Sequence, residues 1–516
     1  MKKNLLTLLV STAIILSKHN CNSQNIALNF DANYKPIARV TLTGYKSVQS
    51  RDIKRQNPNI ALGVSIAGGG SRAQYFGTGV LLGLEEIASK ETPSSNFLQE
   101  IDYFSTVSGG CYAAGYFLTI QKNILNKSNK TFNDFYFSKG NNFQDFIGKS
   151  AAPALALAPN KNITDIEYSM SKRLDYEVLQ YSASDNKGKF SSQMTLSDFF
   201  IPISEQSKIP TLPMFVPNAT IFHNGERLPF MPHILSSLKI TNSLTPNAAT
   251  LPTVNDGTVD AYKLPLTYAI TSSSAFPAVL PVTRYGIKGD DKILCVVDGG
   301  IVDNLGYTTL LELLHKDRKV TNRNKRALIV DCSGAGEPSQ LINDKEVTNL
   351  QILQASLEYT LSTKYLYLNE NIQSQMAADS IPTENALVIG FSTIKNHLRT
   401  MLPDHDFDVN RNKFLNTKDK NQNWFQFYTE FKTNLSKRFK NSFILDTDKE
   451  IILSSLSSKE FKNLTASEVL VLYEYASQVV TKLKIYPDEK EMLILAGRYT
   501  VYLEQERIKQ LLATKN

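Results

Sequence analysis

The chain has 516 residues, 42% of them hydrophobic and 20% charged, a globular balance that speaks against disorder or a low-complexity scaffold. Its formal charge is +7, and residues 1–23 supply Lys2, Lys3 and Lys18 without an acid; the rest carries 53 basic against 49 acidic residues, too small an excess to argue for a nucleic-acid partner. Four cysteines exclude a framework built on disulfides.

Lys2-Lys3 precede an apolar run from Leu5 to Leu16, and Ser17 to Gln24 are mostly polar. A short basic region, a brief hydrophobic run and a polar exit form the pattern of a secretory signal peptide over residues 1–23, with cleavage after Ser23. The run falls short of the ~20 apolar residues of an ordinary spanning helix, and no later segment reaches that length. The expected location is therefore outside the cytoplasm: periplasmic, secreted or associated with an outer surface. Lipid anchoring through Cys21 is disfavoured, because Lys18, His19 and Asn20 do not make a lipobox. The remaining Cys111, Cys295 and Cys332 sit in or beside apolar segments and read as buried free thiols, a Cys295–Cys332 bridge being the alternative.

Residues 24–59 read as a mixed lead-in. From Ala61 the chain alternates strand and helix signals, and residues 60–335 form the expected core. Strands are predicted at Ala61–Ala67, Ile101–Val107, Pro213–Ile221, Tyr268–Ile270, Lys292–Val297, Ala327–Val330 and Leu387–Phe391. Helices are predicted through Phe76, Val80, Leu84 and Ile87, over Gly110–Ile120 and over Thr308–His315. Residues 121–210 look like an insertion, with a small, apolar stretch at Ala151–Pro159. Strand-helix alternation with aliphatic strands points to an α/β layered fold with a mostly parallel central sheet flanked by helices. Residues 336–516 read as a mainly helical extension packed on that core. Thr465 with Glu468, and Asp488 with Glu491, offer capping-box patterns for its last two helices, the first running to about Leu483. Trp424, Phe427, Tyr428, Phe431, Leu435 and Phe439 recur at helical spacing. A core-facing amphipathic helix explains them, and a membrane-interface helix is the alternative.

Three motifs carry chemistry. Gly68-Gly69-Gly70-Ser71-Arg72 lies between a strand and a helix, where consecutive glycines let backbone N–H groups face a shared anion. The lysine of a phosphate-binding loop is missing, so a nucleotide site is not supported. Arg72, a cation in a first helical turn, calls for a local acceptor or an incoming anion. Thr106-Val107-Ser108-Gly109-Gly110 ends a strand and starts a helix, the setting of a nucleophile elbow, with Thr106 where a glycine is usual; a helix N-cap serine is the simpler reading of Ser108. Val296-Val297-Asp298-Gly299-Gly300 projects a carboxylate at the end of an apolar strand, and Asp303 and Asn304 follow it.

In this order the motifs G-G-G-x-R, S-x-G and D-G-G resemble the patatin-like phospholipase family, which is related to cytosolic phospholipase A2, over about Ala61 to Gly306. Pro217-Asn218-Ala219-Thr220, Ser272–Pro277 and Asp298–Gly306 resemble further segments of that family. The resemblance implies a lipid acyl hydrolase, of phospholipase A or lysophospholipase type, acting at a peripheral membrane or lipid-aggregate surface, and the signal-peptide pattern adds that it is exported. It implies a Ser–Asp dyad of Ser108 as nucleophile and Asp298 as general base, and an oxyanion hole from Gly69 and Gly70 with Gly109. Arg72 would hold a phosphate or stabilise the oxyanion, and no cofactor is expected. Two other readings stay open: a Ser–His–Asp esterase using His315, His397 or His405, and a lipid-binding surface protein without turnover. Asp404–Asn410 resembles the start of a calcium loop but lacks its glycine, and Leu415 stands where a glutamate is wanted.

Overall fold

The computed structural model describes residues 58–88, 96–123, 125, 129–137, 194–200, 212–244, 251–276, 282–316, 323–334, 381–402, 423–446, 448, 450–479 and 485–513. The signal peptide, Cys21, Ala151–Pro159, His405 and the Asp404–Asn410 turn lie outside them, as do most of the lead-in and of the expected insertion.

Short buried runs become the centre of one sheet. β1 (Ile60–Ile66) and β2 (Ile101–Val107) are buried along their whole length, as strands covered on both faces must be. Among the described residues nine strands form this sheet, and eight run in the order β5-β6-β7-β3-β2-β1-β8-β9. These are β3 (Met214–Ile221), β5 (Ile240–Ser243), β6 (Thr283–Ile287), β7 (Asp290–Asp298), β8 (Asn324–Asp331) and β9 (Ala386–Gly390). The ninth, β4 (Glu226–Pro229), is antiparallel to the end of β3. Strands β3, β2, β1, β8 and β9 are mutually parallel. Strands β7, β6 and β5 continue the sheet antiparallel. β3 is therefore where the sheet changes sense, and Val107 pairs Asn218 there while Asp298 pairs Ala219.

Helices cover the sheet. The chain runs from β1 into α1 (Gly70–Glu85) and from β2 into α2 (Gly109–Asn123). The short α3 (Phe132–Tyr136) and α4 (Pro232–Ser237) precede α5 (Leu266–Ser273). Then come α6 (Gly300–Asp303) and α7 (Tyr307–Lys316), the latter packed on β1 and β2. The predicted strand at Tyr268–Ile270 is part of α5. Its eight residues are all buried, so no polar face reveals the helical period. The hydroxyls of Thr271 and Ser274 turn back onto carbonyls one turn earlier, at 2.8 Å from Thr267 O and Ile270 O.

The C-terminal part is more than an added layer. β9 pairs β8 and so extends the central sheet to residue 390. Phe391 then opens α8 (Phe391–Met401) instead of closing the strand. Next come α9 (Asn423–Arg438), the hairpin β10 (Ile444–Leu445) and β11 (Ile451–Ile452), and α10 (Ser458–Phe461). Last are α11 (Ala466–Ser477), α12 (Pro487–Leu503) and α13 (Gln505–Leu512). Tyr428, Phe431 and Leu435 of α9 are buried, so its aromatic stripe faces the protein. The Thr465–Glu468 box forms, and α11 ends at Ser477, short of Leu483. α12 starts earlier than the Asp488–Glu491 pattern predicts. Pro487 fits the first turn, Glu489 accepts the Tyr486 N–H at 2.8 Å, and Glu491 takes the Tyr428 hydroxyl at 2.6 Å. α12 lies along α1, and a Cβ at Gly79 or Gly497 would meet the facing backbone at under 3.0 Å. No described helix is long and apolar enough to cross a membrane.

Candidate active site

The glycine loop leaves β1 with its first donors already used: Ala67 N–H goes to Val330 O at 3.0 Å and Gly68 N–H to Asn304 O at 2.9 Å. Gly69 and Gly70 then take φ values of 144° and 57°, where a side chain is strained. Among the described residues no backbone carbonyl accepts the N–H of either. The loop lies against the elbow. A Cβ on Gly68 would come within 3.2 Å of Ser108 Cβ, and one on Gly109 would run into the Gly70 peptide.

Ser108 joins β2 to α2 at φ 47°, a left-handed backbone unusual for a residue with a side chain. Thr106 does not obstruct this turn. It completes the buried strand, pairs Ile66 and Pro217, and its hydroxyl donates to Cys111 Sγ at 3.1 Å. The crowding falls instead on Gly109 and Gly110, both of which need to lack a Cβ.

Asp298 closes β7 and is buried. Its Oδ1 accepts the Gly300 N–H at 2.7 Å, and its own N–H donates to Ala275 O at 2.9 Å. The Ser108 side chain is close enough to act on the carboxylate. Burial pushes the Asp298 pKa up from an ordinary 3.8 to about 6, against Ser108 and the Gly300 bond, which hold it down. The structure thus brings Ser108, Asp298 and the Gly68–Gly70 loop together at the C-terminal edge of the sheet, where strand ends leave their loops free to build a site.

Arg72 lies beside the loop, where a Cβ on Gly69 would come to 3.4 Å from its Nη2. Its Nε donates to Cys332 O and an Nη to Val479 O, both at 3.0 Å, so the guanidinium ties the first turn of α1 to the end of β8 and to the residues after α11. Asp303 is buried, and that burial raises its pKa; Arg227 opposes the rise, and the Thr308 N–H bonds its Oδ2 at 2.9 Å. His315 is exposed on α7. His397 lies on α8 with its ring 6.2 Å from Tyr499, and burial lowers its pKa. Burial also lowers His233, on α4, to about 4. Among the described residues no histidine acts on the Asp298 carboxylate. Cys111, Cys295 and Cys332 are free thiols, so the alternative Cys295–Cys332 bridge is not formed. Burial pushes Cys111 up to about 12.

Two residues given no role from sequence hold the centre together. Asn218 on β3 and Ser273 at the end of α5 are both buried. The Ser108 N–H donates to Ser273 Oγ at 2.9 Å. The signal in the sequence is the resemblance of Pro217-Asn218-Ala219-Thr220 and Ser272–Pro277 to family segments, which gives neither residue a role.

An α/β sheet with a serine elbow, an adjoining glycine loop and a buried carboxylate at one edge defines a class of hydrolase-like scaffold. Residues 64–311 match the family model for patatin-like phospholipase. Among solved structures, human GIVD cytosolic phospholipase A2 is similar at 12% identity and a TM-score of 0.33, over 88% of this chain and 62% of that one. The same human enzyme in complex with methyl gamma-linolenyl fluorophosphonate and terbium chloride gives 12% identity and a TM-score of 0.38, over 88% and 59%. VipD from Legionella pneumophila gives 12% and 0.26, over 88% and 94%. The chain spans about three fifths of the length of the two phospholipase A2 chains. No curated protein sequence matches it.

Proposed function

We propose that the protein is an exported lipid acyl hydrolase, of phospholipase A or lysophospholipase type, in which Ser108 and Asp298 act as a dyad. The observation that carries this reading is a strained elbow serine whose side chain acts on a buried carboxylate with a pKa of about 6, inside a patatin-like domain. An ordinary aspartate is too weak a base to take a serine proton at neutral pH. A pKa near 6 keeps Asp298 ionised at pH 7 and makes it a better acceptor.

Ser108 Oγ attacks the ester carbonyl while its proton passes to Asp298. The oxygen of the tetrahedral intermediate gains negative charge next to the Gly69 and Gly70 N–H groups and the start of α1. Collapse breaks the ester C–O bond, Asp298 returns the proton to the departing alcohol, and the acyl group stays on Ser108. Water then attacks the acyl-serine, with Asp298 taking its proton and returning it to Ser108 as the acid leaves. No group from outside the chain is needed. Lys2-Lys3 and the apolar run behind them support export, and acyl lipids at a membrane or aggregate surface are the proposed substrates.

Acyl release from phospholipids, lysophospholipids and short-chain esters is measured for wild type, Ser108→Ala and Asp298→Asn, each checked for folding. Turnover by wild type that both variants lose is expected. Turnover that survives Asp298→Asn, or that is lost on replacing His315, His397 or His405, points to a different base. Lipid binding by folded wild type with no acyl release points to a binding protein.

A further inference from the structure

Ser108 and Asp298 approach each other from opposite sides of the line where the sheet changes sense. Ser108 ends the parallel side, after β2, and Asp298 ends the antiparallel strand β7. Their separation therefore depends on what β3 and α5 hold. Ser273 Oγ accepts the N–H of Ser108 at 2.9 Å and the Cys111 thiol at 3.2 Å, and donates to the main-chain oxygen of Asn218. The carbonyl of Ser273 accepts the Gly299 N–H at 3.1 Å, directly after Asp298. One serine thus touches the peptide of the nucleophile and the peptide following the base.

Asn218 holds the end of β2 from the neighbouring strand. Its Nδ2 donates to Thr106 O and Ser105 Oγ, both at 3.0 Å, which fixes the last turns of β2. Its Oδ1 accepts the Thr309 hydroxyl at 2.7 Å, and Thr309 in turn takes Arg227 at 2.8 Å. Its neighbour Ala219 is the ladder partner of Asp298. A left-handed backbone at a non-glycine residue costs on the order of 1–3 kcal/mol and persists only where the surroundings over-determine it. Ser273 supplies that constraint directly at φ 47°, and Asn218 holds the strand end that leads into it.

We propose that Ser273 and Asn218 are positioning residues that hold the elbow peptide and the Asp298 loop in register across the parallel-to-antiparallel junction. The inference rests on the assignment of Ser108 and Asp298 as the reacting pair. Neither residue touches substrate; each acts through the geometry of that pair.

The experiment compares Ser273→Ala with Ser272→Ala. Both remove a buried hydroxyl from the same helix end, but Ser272 bonds the Tyr285 hydroxyl, at 3.1 Å, away from the elbow. Hydrolysis of p-nitrophenyl butyrate gives kcat, KM and the pH profile, labelling of Ser108 by a fluorophosphonate gives the nucleophile's reactivity, and urea unfolding gives stability. The expected result for Ser273→Ala is a drop in kcat and labelling rate of about ten- to a hundredfold at nearly unchanged KM, as for a small misplacement of reacting groups. Because the Ser108 side chain holds the Asp298 pKa down, its loosening moves the acid limb to higher pH. Cys111 and Tyr112, the other titratable groups facing Asp298, are pushed far above that range by burial, and Asp303 is set by burial and Arg227. Ser272→Ala keeps wild-type rates and profile.

A folded Ser273→Ala with wild-type kcat and acid limb overturns the inference, as does an equal rate loss in Ser272→Ala. If Ser273→Ala does not fold, Ser273→Cys, with similar size and weaker bonding, replaces it; an intermediate rate supports the inference and a wild-type rate overturns it. Wild type that neither hydrolyses ester nor labels at Ser108 refutes the underlying assignment instead.

Discussion

Replacing Asp298 with asparagine separates the catalytic use of the carboxylate from its cost to the fold. The carboxyl is buried, and its pKa stands at about 6 against an ordinary 3.8. Below about pH 4 the acid is neutral in both the folded and the unfolded chain, and its burial is tolerated. Between pH 4 and 6 the unfolded chain ionises first, so folding takes up a proton and stability falls as pH rises. Above pH 6 both states are ionised and the full penalty applies, about 3 kcal/mol for a displacement of this size. Asparagine keeps the Oδ1 that accepts the Gly300 N–H and removes the charge. Asp298→Asn is therefore expected to be inactive, by the ~10²–10⁴-fold typical of a lost general base, and more stable than wild type by up to about 3 kcal/mol at pH 8. The advantage shrinks by about 2 kcal/mol between pH 8 and pH 4. Urea unfolding of both proteins at the two pH values reads the difference, and any fixed offset between amide and acid cancels. A stability difference that does not change with pH, or that changes in the opposite sense, refutes the burial of an ionised Asp298.

Wild-type kcat/KM should rise with pH through a midpoint near 6 and level off above it, because only the ionised Asp298 accepts the Ser108 proton; a midpoint near 3.8 in the rate profile contradicts the desolvated site. Gly109→Ala should abolish activity and cost at least about 1–3 kcal/mol in urea, since its Cβ would press on the Gly70 peptide; a stable, active variant would show that loop and elbow are not in contact. Gly497→Ala, far from the reacting atoms, should destabilise by a similar ~1–3 kcal/mol by forcing α12 off α1, read as a lower urea midpoint. Arg72→Met leaves the Cys332 and Val479 carbonyls without that donor and should cost about 1.5–3 kcal/mol; no change in the urea midpoint would argue that these bonds do not hold the glycine loop.

Local pattern carried much of this protein. Ile60–Ile66 and Ala327–Val330 are largely aliphatic because both faces of a central parallel strand are covered, and that composition is visible residue by residue. Glycines at 68–70, 109 and 110 mark close backbone approaches, which leave the same mark in any sequence. Ser108 and Asp298 could be placed at strand ends for that reason. Where tertiary contacts decide, the sequence was silent. Tyr268–Ile270 is equally apolar as strand or helix, and only its enclosure by the core made it α5. The guanidinium of Arg72 reaches carbonyls 260 and 407 residues away, contacts that no local pattern displays. The roles of Asn218 and Ser273 likewise exist only once β2, β3, α5 and β7 meet. Chain periodicity reports which face of an element is buried. Which distant groups share that interior is fixed by the order in which the strands assemble, and here by a sheet that changes sense at β3.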